Sequence, residues 1–89
     1  MKLRDKLSAA LLAYDRKEST KRSYNRHALT LSLERLDEVM ADIERGADVR
    51  DAIVAGYCGR MAGALLKAAG SDPYTREDAI GGIFYKPVA

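Results

Sequence analysis

Leu29, Leu33, Leu36, Met40 and Ile43 follow one another at steps of four, three, four and three. An α-helix places residues at that spacing on one stripe, and such a stripe needs a second apolar surface to lie against. The pattern therefore predicts a helix over residues 24–45 that packs on another helix. Ala28 and Val39 widen the stripe, while Glu34, Arg35, Asp37, Glu38, Asp42 and Glu44 fill water-facing positions. Tyr24 and Leu31 fall on a different side, which points to more than one neighbour. Ser23 or Asn25 suits the N-cap, and Gly46 suits the stop.

The rest of the chain supplies the surfaces this stripe requires. Leu3, Leu7, Ala10, Leu11 and Tyr14 share one side of a predicted first helix over residues 3–17. Residues 18–23 break the apolar pattern with Ser19, Thr20 and Ser23, whose hydroxyls compete for backbone hydrogen bonds and favour a turn. A third helix is expected from Asp48, its cap, to Ala69, with Gly70 as the stop. One of its sides carries Ile53, Val54, Tyr57, Met61, Leu65 and Ala68; the other carries Ala52, Ala55, Gly56, Gly59, Ala62 and Gly63. With two buriable sides, this helix is expected at the centre. Glycine inside a helix costs roughly 1 kcal/mol relative to alanine, so three of them call for a compensating close approach of another backbone. Ser71-Asp72-Pro73 reads as a turn. Thr75 with Asp78 then opens a short fourth helix in the manner of a capping box. Gly81-Gly82 ends it, and an apolar tail from Ile83 to Ala89 is expected to be extended.

These elements predict an all-α fold: a compact bundle of three main helices, a short fourth helix and an extended C-terminal tail. At 89 residues the chain forms a single domain over residues 1–89. Apolar residues make up 47% and charged residues 31%, values that place it with globular chains and away from disordered ones. One cysteine, Cys58, rules out an internal disulfide and points to a reducing, cytoplasmic setting. The charged N-terminus does not read as a signal peptide, and no run approaches the roughly 18 apolar residues of a membrane span.

The usual catalytic and metal-binding constellations are absent from the sequence. His27 is the single histidine, and Cys58 stands on another predicted helix without a paired cysteine, so no metal or cofactor is expected. Cys58 reads as a small buried residue. Acid pairs such as Asp37/Glu38 and Glu77/Asp78 diverge around their helices, which does not suit paired acid–base work. Gly56, Gly59 and Gly63 lie within a predicted helix, not between a strand and a helix, so they do not form a phosphate loop. The chain is read as a non-enzyme.

Two functional readings remain. The net charge of +2 separates into +5 over residues 1–27 and −3 over the remainder. Arg16, Lys17, Lys21, Arg22, Arg26 and His27 concentrate cations around the first turn, and with Tyr24 they form a candidate phosphate-binding segment for nucleic acid. The apolar surplus points instead to protein contacts. Gly56, Gly59 and Gly63, with Leu31, Phe84 and Tyr85, form the candidate interface. The first expectation is a small interaction or adaptor protein acting by helix packing, as a homodimer, a larger homo-oligomer or an accessory subunit. The alternative is a nucleic-acid-binding module using the basic turn and the start of the second helix. No membrane partner is expected.

Overall fold

The computed structural model describes residues 2–18, 20 and 28–78. Four helices of eight or more residues pack together, and no strand occurs among the described residues. They are α1 (Leu3–Glu18), α2 (Ala28–Glu44), α3 (Val49–Gly56) and α4 (Gly59–Ala68). The all-helical bundle is thus as the apolar spacing requires. Residues 24–27, at the expected start of the second helix, and the tail from residue 79 onward lie outside the described residues.

Local chemistry fixes the ends of these helices. α1 has Asp5 in its first turn and Arg16 and Lys17 in its last, each charge opposing the nearer end of the helix dipole. α2 stops in a Schellman motif: Gly46 N–H donates to Ile43 O (3.0 Å) and Ala47 N–H to Asp42 O (3.0 Å). That geometry needs a left-handed residue, and Gly46 supplies it with φ +103°. α4 ends the same way, with Gly70 at φ +72° and Ser71 N–H donating to Leu66 O (2.9 Å). Asp48 caps α3 by accepting from Asp51 N–H (3.2 Å).

The expected third helix is two helices. Tyr57 and Cys58 adopt extended backbone, and Gly59 follows at φ +60°. Gly56 and Gly59 bracket the break, each weakening the helix by roughly 1 kcal/mol relative to alanine. What offsets the interruption is Tyr57. Its ring is buried, and its hydroxyl donates to Ser32 O on α2 (2.6 Å).

No helix occupies the centre. α1 packs on α2 and α4, and α3 packs on α2 and α4, so the four close a cycle around one core. Leu7 and Leu11 enter that core from α1, Leu36 and Val39 from α2, Ala52 and Ile53 from α3, and Ala62, Leu65 and Leu66 from α4. Each fully buried leucine or isoleucine contributes about 1.5–3 kcal/mol through loss of water contact. The segment after α4 is strapped to α3. Arg50 donates to both carboxylate oxygens of Asp78 (2.8 Å to Oδ1) and to Pro73 O (3.0 Å). Asp78 also accepts from Thr75 N–H (2.7 Å), while Thr75 Oγ1 accepts from Asp78 N–H (3.2 Å), completing the box read from the sequence. The Arg50 hydrogen bond, followed by that from Thr75, holds the Asp78 carboxyl well below the usual carboxylate range.

Candidate helix-packing surface

Leu31 sits on the solvent side of α2, opposite the stripe that feeds the core, and is 59% exposed. Beside it the α3–α4 break leaves an open groove of about 470 Å³, lined among others by Leu31, Arg35, Gly56, Cys58 and Met61. α2 forms one wall. The other is made where the chain leaves α3, turns at Tyr57 and Cys58, and starts α4. Tyr57 ties the walls together through Ser32 O, and Ser32 Oγ donates to Met61 Sδ (3.4 Å). Burial pushes the Tyr57 phenol up to about 12, so it remains a neutral donor through the physiological range. Arg35 stands on the rim and pairs with Glu38 at 3.7 Å.

A second groove of about 470 Å³ runs between α1 and α4. Ala10, Ala13 and Ala64 line it, together with Lys17, Arg60 and Lys67; Glu18 is the single carboxylate. Tyr14 lines both grooves and joins them around the start of α4.

The residues singled out in the sequence divide among these places. Leu31 and Gly56 line the same groove. Gly59 and Gly63 do not join them. Gly56 presses against α2, where an added Cβ would come within 2.7 Å of Val39 Cγ2. Gly59 faces open space and serves the left-handed turn. A Cβ on Gly63 would make ordinary contact with Tyr74 Cβ at 4.0 Å. The approach of another backbone expected of the three glycines is not what the structure shows: Gly56 is tightly approached, but its nearest neighbours are the side chains of Val39 and Arg35 within the chain. Cys58 is exposed on the groove rim, not buried as its sequence position suggested.

Arg16 and Lys17 are exposed at the end of α1, and Lys17 reaches the second groove. Lys21, Arg22, Arg26, His27, Phe84 and Tyr85 lie outside the described residues. Arg60 and Lys67, which join Lys17, were not singled out in the sequence. Their seven-residue spacing on one helix was the available signal. Among the described residues, no group of three His, Cys, Asp or Glu side chains is placed to hold a metal, and no helix is long and apolar enough to cross a membrane. No family model, curated protein or solved structure matches the chain.

Proposed function

We infer that this chain is a small, non-enzymatic interaction protein that works by packing its helices against another protein in a reducing cytoplasm. The exposure of Leu31 beside the groove at the α3–α4 break carries this reading. A leucine left mostly in water, next to an apolar hollow, gains free energy when a partner covers both. The homo-oligomer is the favoured form. The knob, Leu31, and the hollow lie on one face, as a two-fold contact between identical surfaces requires. Arg35, Glu34 and Glu38 on the same stretch of α2 add charges of both signs, which a two-fold axis can pair across the contact.

Sedimentation equilibrium on the full chain tests this. The wild type is expected to sediment above the mass of one chain at moderate salt, and Leu31→Asp to return it to the monomer with unchanged helicity. A wild type that stays monomeric up to about 1 mM, the weak limit of useful association, overturns the homo-oligomer.

A further inference from the structure

The α1–α4 groove has a charge-reversed counterpart on α2 of the same molecule. On α4, Arg60 and Lys67 are exposed, with half-buried Ala64 between them. On α2, Asp37 and Glu44 are exposed, with half-buried Ala41 between them. Both triplets step by four and then three, so in each the charges stand about 10.5 Å apart along the helix, with a small residue midway. Lys17 adds a third cation beside the α4 triplet, and Glu34 continues the acidic stripe one turn before Asp37.

The charges on these faces remain available. Among the described residues Arg60, Lys67 and Glu44 make no ion pair. Asp37 pairs with Arg4, but the two side chains are 63% and 53% exposed, which leaves the carboxylate open to a second cation. The alanines lining the groove matter as much as the charges, because small residues let a second helix approach closely enough for its acids to reach both cations.

We propose that a second copy of this chain lays the acidic face of its α2 into the α1–α4 groove, pairing Asp37 and Glu44 with Arg60 and Lys67. The two faces stand on different helices and share no residue, so the contact joins unlike surfaces, head to tail. Its paired charges, Asp37 and Glu44 with Arg60 and Lys67, are not among the residues lining the groove beside Leu31, so it can be tested separately from that face. Because the attraction is between exposed charges, it weakens as salt shortens the Debye length from about 10 Å at 0.1 M toward about 3 Å at 1 M.

The experiment uses the full chain carrying Leu31→Asp, so that the Leu31 face contributes nothing. At about 20 mM salt this protein is expected to self-associate, with at least a tenfold loss of affinity by about 0.5 M. Two further variants are made on that background. One carries Arg60→Gln and Lys67→Gln and keeps an intact α2 face; the other carries Asp37→Asn and Glu44→Gln and keeps an intact groove. Circular dichroism confirms that each retains its helicity. Each is expected to be monomeric alone, and an equimolar mixture is expected to give a one-to-one heterodimer that grows no further. That complementation is specific to a head-to-tail contact. Monomeric behaviour of the Leu31→Asp protein at low salt, or a mixture that stays monomeric, overturns the proposal. So does a groove that binds a single-stranded oligonucleotide through Arg60 and Lys67 while no self-association occurs.

Discussion

A Cβ placed on Gly56 would lie 2.7 Å from Val39 Cγ2, and Val39 is only 2% exposed, so it has little room to move. Gly56→Ala therefore gains helix propensity of up to about 1 kcal/mol and loses more to overpacking, with a net destabilisation of about 1–2 kcal/mol. Gly59→Ala fails for a different reason: the space is open, but φ +60° costs a side chain about 1–2 kcal/mol. Gly63→Ala meets neither obstacle and is expected to raise stability by up to about 1 kcal/mol. Urea unfolding of the three single variants separates these cases. Equal losses at all three would mean a common cause, such as one shared face against another backbone. The sequence alone shows three glycines at helical spacing and so suggests that shared face. Backbone conformation separates Gly59, and the reach of Val39 separates Gly56; neither is encoded in spacing.

Among the elements, α1 and α2 were legible because each buries one stripe, and one stripe leaves a clear three-four rhythm. The α3–α4 segment was not, because it carries apolar or small residues nearly all round and the rhythm runs on through the break. Leu66 shows the consequence: it lies on neither of the two sides read from the sequence, yet it is fully buried. Tyr57 marks where the continuous reading fails, since its hydrogen bond to Ser32 O holds α2 against the interruption. Its phenol ionises near 10 when exposed and burial pushes it up to about 12 in the fold, so folding favours the neutral form. The stabilisation is complete below pH 10 and is lost as pH rises toward about 12. Tyr57→Phe is expected to cost about 1 kcal/mol at neutral pH through the missing hydrogen bond and to show a shallower alkaline decline than the wild type. Urea midpoints at steps from pH 8 to 11 check this, with the difference between the two proteins cancelling the other tyrosines. Parallel alkaline declines would exclude Tyr57 as the group responsible.

For the molecule as a whole, the closed cycle of helices gives every element a share in one core, so loss of any wall is felt throughout. Leu36 is 1% exposed within that core, whereas Leu31, five residues earlier on the same helix, is 59% exposed. Leu36→Ala is expected to remove about 2–5 kcal/mol, a large part of the roughly 5–15 kcal/mol that a domain commands. Far-ultraviolet dichroism and tyrosine fluorescence should then shift together in one transition. Leu31→Ala, in dilute solution, should change stability by less than about 0.5 kcal/mol, as substitutions at open surface do. The same chemical change on one helix thus measures which side faces the core and which faces water. That separation also bears on function, because an apolar side chain that contributes nothing to the monomer is free to contribute to a contact. A penalty at Leu31 close to that at Leu36 would show the side chain covered within the isolated chain, and the interaction face built around it would be lost.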